Sequence, residues 1–343
     1  MMMTVLILGG FVLLFFGGEA LVRGSVGIAR RFGISELVIG LTLVGFGTSL
    51  PEMVTSLQAL SEGAVGLSIG NVIGSNVANM LLVLGAAALV APILTSPRAL
   101  ARDGLIMLLV TLLFAALIWF DMFTRPVGLM MVGLLLGYLI FSVILDRRGD
   151  SPAGEMHKEE AEEFAANDPL WLAALLALGG IAAVVFGARF LVDGGSDAAR
   201  LFGVSETVIG ISVLAIGTSL PELATSVVAA SKGKADVALG NILGSNIFNI
   251  LGIIGVSAIV FPFSIGGAGS VIGITPLEIS AMQTGSLVTW TDMGALALSV
   301  FLLGVFAYTG RKIARWEGVI LLSSYLVYLG LRFGVIPALS LGG

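Results

Sequence analysis

Apolar residues fill most of this chain, and polar ones gather at nearly regular intervals. In the first half the apolar runs cover about 4–30, 35–60, 65–92, 100–120 and 127–146, and in the second about 169–200, 205–230, 236–263, 292–310 and 316–333. Each is near the roughly 20 residues a helix needs to cross about 30 Å of hydrocarbon. A spanning segment must satisfy its own backbone, so runs of this length are helices. The pattern therefore predicts an all-α polytopic membrane protein of ten transmembrane helices. A stretch rich in charge, "DRRGDSPAGEMHKEEAEEFAANDP" at 146–169, divides the two sets of five.

The halves are copies. "GFGTSLPE" at 45–52 recurs as "AIGTSLPE" at 215–222, an offset of 217 − 47 = 170 residues. The same offset carries "ISELVIG" (34–40) onto "VSETVIG" (204–210) and "GNVIGSNVAN" (70–79) onto "GNILGSNIFN" (240–249). A gap-free repeat over that distance is an internal duplication. Five crossings per copy is odd, so the second copy enters from the opposite side, giving two inverted five-helix repeats. The domains are then 1–146, a cytoplasmic acidic linker at 147–168, and 169–343.

Composition agrees with a bilayer protein: 57% of residues are hydrophobic, 11% are charged and the mean hydropathy is +1.07. The net charge of −5 comes mostly from the linker and gives no reason to expect nucleic acid. Cysteine is absent and His157 is the lone histidine, so disulfides are excluded and zinc or copper lacks its usual ligands. The first run, Val5 to Leu21, is a retained helix rather than a signal peptide, since no basic residue precedes it and its "LGG" (8–10) recurs at 178–180. With the N-terminus outside, the inner loops hold 13 of the 17 Lys and Arg: Arg23, Arg30, Arg31, Arg98, Arg102, Arg147, Arg148, Lys158, Lys232, Lys234, Arg311, Lys312 and Arg315. Four remain outside: Arg125, Arg189, Arg200 and Arg332. The bias selects both termini outside, in a cell membrane.

The candidate chemistry lies in the repeated strings. Pro51 donates no backbone hydrogen bond and disturbs the turn before it, so the helix around Gly45, Gly47 and Thr48 should bend and release carbonyl oxygens. Glu52 stands near the midplane, where a carboxylate is costly without a partner, and the motif segments contain no basic residue. A cation is the missing partner. Asn71, Ser75 and Asn79 share one helix face, as do Asn241, Ser245 and Asn249. Hard oxygen ligands of this kind suit Ca²⁺, and Na⁺ in smaller sites, and two glutamates match one Ca²⁺ in charge. The stripe Gly66, Gly70, Gly74 reads as close helix packing. Asp103, Asp121, Glu278 and Asp292 fall near predicted helix ends and read as solvated or interfacial. Trp119, Trp171, Trp290 and Trp316 read as interface anchors.

With "GTSLPE" and "GSNxxN" in both halves and "RWEGVILLSSYLVYLG" at 315–330, the chain resembles the sodium/calcium exchanger family, the calcium:cation antiporters. The resemblance implies ten helices, four clustered cation sites and alternating access, with helices 4–30 and 169–200 sliding across a fixed core. It implies that Glu52 and Glu222 hold Ca²⁺ with Thr48 and Thr218. Ser49, Ser219, Ser75, Ser245 and the carbonyls of Gly45 and Ala215 would complete Na⁺ sites, and Asn79 and Asn249 would line the middle. Two features depart from the family pattern. Asn249 stands where some prokaryotic members carry aspartate, and 264–290 is longer than its counterpart near 94–100.

The expected activity is exchange of Ca²⁺ for Na⁺ by a monomer that needs no cofactor beyond the transported ions. A proton-coupled or K⁺-linked exchanger is the near alternative, since a glutamate can itself carry a proton, but the Thr-Ser pairs favour sodium. A cation channel also uses glutamates, though inverted repeats with broken helices favour a transporter. An enzyme is not expected, because no His, Lys or Asp accompanies the motif serines as a base.

Overall fold

The computed structural model describes residues 2–94, 97–147, 169–202, 217–265, 290–309 and 312–332. Its first half contains α1 (Met2–Phe32), α2 (Glu36–Thr48), α3 (Leu50–Ser61), α4 (Val65–Val90), α5 (Pro97–Phe120) and α6 (Arg125–Arg147). The second contains α7 (Leu170–Leu201), α8 (Leu220–Ser231), α9 (Ala235–Val260), α10 (Trp290–Thr309) and α11 (Arg315–Arg332). Described helices that are long and apolar enough to cross a membrane number six, or seven if the bent pair α2–α3 is one span. Besides helices there is one short pairing, β1 (Ile93–Leu94) antiparallel to β2 (Lys312–Ile313).

α1 and α7 run antiparallel along their full length because glycines at heptad spacing clear the way. A Cβ on Gly17 would lie 2.6 Å from Ala183 Cβ, one on Gly24 2.4 Å from Ala177 N, one on Gly180 2.4 Å from Leu21 N, and one on Gly187 2.9 Å from Leu14 N. The outer faces of this pair expose Phe11, Phe15, Phe16 and Phe186, which a hydrocarbon surround accommodates.

The helices that follow exchange partners between halves. α6 packs on α9, with Gly128 against the carbonyl of Gly255, and Arg125 Nε donates to Ile259 O at 3.2 Å. α11 packs on α4 in the same way, with Gly318 against Gly85 O, and Arg315 Nε donates to Leu89 O at 3.2 Å. Ile93 pairs with Ile313, and separately Phe123 pairs with Phe263, the two phenylalanine rings stacking at 4.6 Å. Around α4 and α9, the most buried helices, Val72, Met80, Leu84, Leu239, Ile242 and Ile254 build the core.

Two expectations change. Asp103 and Asp292 are buried, not solvated. Asp103 is held by both Arg102 Nε and Nη2 at 2.8 Å and by the Tyr138 hydroxyl at 3.4 Å, and Asp292 accepts from Tyr328 Oη at 3.0 Å. A carboxylate at a helix end is thereby turned inward, because a donor on the neighbouring helix replaces water. Asp121 is partly buried and accepts from Ser264 and Ile265 N, while Glu278 lies outside the described residues. Of the tryptophans, Trp119, Trp171 and Trp316 are exposed as expected, and the side chain of Trp290 is outside the described set. The Gly66, Gly70, Gly74 stripe shows no described atom within 4 Å of a Cβ on Gly70 or Gly74. The copies of those two, Gly240 and Gly244, press on Leu37 and Leu41 at 2.4 Å.

Candidate functional site

α2 ends at Thr48 and α3 begins at Leu50, bent by 44° at Ser49, which leaves the helical conformation (φ −87°, ψ 7°). Pro51 is thus the second residue of a new helix rather than a kink in a continuous one, a place where its missing N–H costs little. That N–H is nonetheless denied to the carbonyl of Gly47. Ser219 breaks the chain identically (φ −86°, ψ 3°) before Leu220 and Pro221. Glu52 and Glu222 therefore sit in the first turns of α3 and α8, where unpaired N–H groups and the helix dipole favour negative charge. Both glutamates are fully buried.

Each break is buttressed from the next helix. Asn71 Nδ2 donates to Glu52 O at 3.1 Å and Ser56 Oγ at 2.9 Å, and Asn241 Nδ2 to Glu222 O at 3.4 Å and Ser226 Oγ at 2.9 Å. Other polar contacts cross between halves. Ser49 Oγ donates to Glu222 Oε1 at 2.8 Å, Thr48 Oγ1 to Asn241 Oδ1 at 3.1 Å, and Ser245 Oγ to Gly45 O at 3.2 Å. Ser245 Oγ also reaches Glu222 Oε1 at 3.4 Å. Asn249 Nδ2 donates to Ser75 Oγ at 3.0 Å, and Asn79 Nδ2 to Asn246 Oδ1 at 3.3 Å. π-helical turns begin at Asn79 (Asn79–Val83) and beside Asn249 (Phe248–Ile254); such turns are frequent at functional sites.

Gly45, Thr48, Ser49, Glu222 and Ser245 are thus brought into one buried network, while Ser75–Asn249 and Asn79–Asn246 are two further buried pairs between the halves. The Glu52 carboxylate and the Ser219 hydroxyl are buried in the same broken segments with no hydrogen-bond partner among the described residues. Thr218 is half-buried beside Ser219, and Ala215 lies outside the described residues. The donor set fits a hard cation. Both carboxylate oxygens of Glu52, Glu222 Oε2, Asn79 Oδ1 and Asn249 Oδ1 are buried without a partner, a rare condition that calls for a physical reason. No basic side chain among the described residues answers them: Arg102, Arg200, Lys232 and Lys234 pair instead with Asp103, Asp197, Glu19 and Glu36. Sequence reasoning passed over Asn76, Asn246, Ser56 and Ser226, all fully buried here. The signal was present, since Asn follows Ser in both "GSN" strings and Ser stands four residues after each glutamate.

Comparison with known proteins follows the same lines. The model of the family described as sodium/calcium exchanger protein matches residues 2–144 and 172–334. Sodium/calcium exchanger MaX1 of Methanosarcina acetivorans is 35% identical over 96% of this chain and 97% of its own. Inner membrane protein YrbG of Escherichia coli is 32% identical over 98% of each. The solved structure of the sodium-calcium exchanger NCX_Mj, soaked with 2.5 mM Na⁺ and 0.1 mM Ca²⁺, superposes with a TM-score of 0.77 at 31% identity, covering 96% of this chain and 98% of that one. The family consists of transporters rather than enzymes. Matched in both halves by one family model and end to end by its relatives, the chain belongs to the sodium/calcium exchanger family.

Proposed function

We propose that the protein is a secondary antiporter that exchanges Ca²⁺ for Na⁺ by alternating access. The observation that carries this reading is the pair of buried glutamates, one from each half, set among hydroxyl, amide and carbonyl oxygens with no basic partner among the described residues. Glu52 and Glu222 then supply two charges to one Ca²⁺, with Thr48 and Thr218 beside them. Ser49, Ser219, Ser75, Ser245 and the carbonyls of Gly45 and Ala215 hold Na⁺, while Asn79 and Asn249 line the middle. Six to eight oxygens is the normal Ca²⁺ shell, and these residues are enough to furnish it.

The same reading takes 1–146 and 169–343 as inverted repeats of five spans joined by a cytoplasmic segment at 147–168, with both termini outside the cell membrane. It is supported by the antiparallel α1–α7 seam and by contacts that recur between halves, such as Arg125 to Ile259 and Arg315 to Leu89. Since both halves contribute to one network, a monomer suffices. Uptake of ⁴⁵Ca²⁺ into proteoliposomes, with Na⁺, K⁺ and H⁺ gradients imposed singly, tests the proposal. Uptake driven by an outward Na⁺ gradient is expected; uptake driven only by K⁺ or H⁺ would assign the protein to those couplings instead.

A further inference from the structure

Glu19 on α1 and Lys232 at the end of α8 form an ion pair, Nζ to Oε1 at 2.6 Å. At the repeat offset of 170, Glu19 corresponds to Arg189 on α7, and Lys232 to Glu62 at the end of α3. Both signs are reversed, so the two copies of the pair remain complementary. Arg189 and Glu62 are nonetheless apart: both are exposed, no ion pair joins them among the described residues, and Glu62 accepts from Gln58 Nε2 at 3.1 Å.

The packing explains why one pair is closed and the other open. α1 and α7 both lie against α8, where a Cβ on Gly18 would stand 3.2 Å from Val228 Cγ2. No comparable seam joins either of them to α3 among the described residues. Val228 is accordingly 5% exposed, while Val54 on α3, which corresponds to the half-buried Ala224, is 62% exposed. The two halves carry the same strings but occupy unequal surroundings. In a duplicated chain the arrangement with the roles of the halves exchanged is built from matching parts, and inverted-repeat transporters alternate by moving one bundle against the other. With the roles exchanged, α1 and α7 lie on α3 and Arg189 meets Glu62.

We infer that Glu19–Lys232 and Glu62–Arg189 are alternating latches, the first closed when the α1–α7 pair rests on α8 and the second when it rests on α3. This inference rests on the antiporter reading for its need of two states, and in the proposed topology the latches lie on opposite sides of the bilayer. The side chains of Glu19 and Lys232 are 40% and 47% exposed, so each latch is a surface pair. Opening one should shift the balance of the two states by about two- to fivefold and leave the fold intact.

The chain contains no cysteine, so introduced thiols are read without background. A protein carrying Glu62→Cys and Arg189→Cys, with a protease site placed in 147–168, is reconstituted and oxidised. After cleavage the halves stay joined only if the disulfide has formed. Cross-linking is expected, faster by about two- to fivefold when Lys232→Glu is added, and back to the starting rate with Glu19→Lys and Lys232→Glu together. No cross-link in liposomes that exchange Ca²⁺, or a rate indifferent to Lys232→Glu, overturns the latch. Transport gives a second measure without cysteines: Glu62→Lys should slow exchange two- to fivefold, about what a surface pair is worth, and Glu62→Lys with Arg189→Glu should restore it. Equal rates in all three proteins also overturn the latch. Absence of Na⁺-driven uptake by the parent protein refutes the antiporter reading instead, and the cross-linking comparison still decides the latch.

Discussion

The repeated "LGG" offers a test in which neighbouring glycines should behave oppositely. A Cβ on Gly180 would lie 2.4 Å from Leu21 N and 2.7 Å from Leu21 Cα, whereas one on Gly179 meets no described atom within 4 Å. Ordinary contact begins near 3.4 Å, so Gly180→Ala lacks about 1 Å, and both neighbours are backbone that cannot swing aside. The helices must separate locally, and a radial gap of 0.5–1 Å forfeits roughly a quarter to a half of each dispersion contact along the seam. Overpacking of this kind costs about 1–3 kcal/mol. Gly179→Ala carries no such cost and gains about 0.5–1 kcal/mol from the better helix propensity of alanine. Thermal unfolding of the purified protein in detergent should place Gly180→Ala several degrees below the parent and Gly179→Ala at or above it. Equal midpoints for the two variants, or a loss at Gly179 alone, would refute the placement of the α1–α7 seam.

Further expectations concern the site, its supports and the topology. Glu52→Gln and Glu222→Gln keep shape and remove one charge each, so both should fold, by gel filtration, and lose nearly all ⁴⁵Ca²⁺ exchange; near-parental exchange in either would undo the site assignment. Tyr328→Phe removes one hydrogen-bond donor from buried Asp292, which should lower stability by about 1 kcal/mol, measured as a lower unfolding midpoint; an unchanged midpoint would mean that this hydroxyl contributes nothing to holding the aspartate inside. A cysteine replacing His157 should react with an impermeant thiol reagent only once the cytoplasmic face is opened, and labelling in intact cells would reverse the proposed orientation.

Periodicity and length were enough to locate α1 through α7, α9, α10 and α11, because a spanning helix leaves little choice of start and stop: 65–92 became Val65–Val90 and 127–146 became Arg125–Arg147. The break before Pro51 was legible too, since proline has one local consequence. What sequence could not reach were pairings made across space. Asp103 is 35 residues from Tyr138 and Asp292 is 36 from Tyr328, so an aspartate near a helix end looked wet. Their kinship was hidden as well. The offset between the two aspartates is 292 − 103 = 189 rather than 170, because the longer stretch at 264–290 intervenes. For the glycine stripe, spacing marks a face that permits close approach without naming what approaches: its copies Gly240 and Gly244 meet Leu37 and Leu41, whose counterparts 207 and 211 lie outside the described residues.

The site's polar groups divide by what they are for. Its amide donors from Asn71 and Asn241 are directed at the main-chain carbonyls of Glu52 and Glu222 and at Ser56 and Ser226, so they fix where each broken helix begins. Hydroxyl donors are few, and Ser49 and Ser245 both converge on a single oxygen of Glu222. A lysine or arginine in their place would satisfy the carboxylates permanently, and a divalent ion would then have to displace a charge-assisted bond in a low dielectric. On the antiporter reading, weak neutral donors leave the carboxylates to the cargo. They also leave the two glutamates unequal in this structure, Glu222 held by Ser49 of the opposite half and Ser245 of its own, and the Glu52 carboxylate by no described donor. On that reading, two copies of one sequence in one chain would thereby acquire different ion affinities, and exchanging their surroundings would exchange those affinities. That coupling of packing to ligand strength is what an exchanger requires, because an ion shifts a conformational equilibrium only by its difference in affinity for the two states.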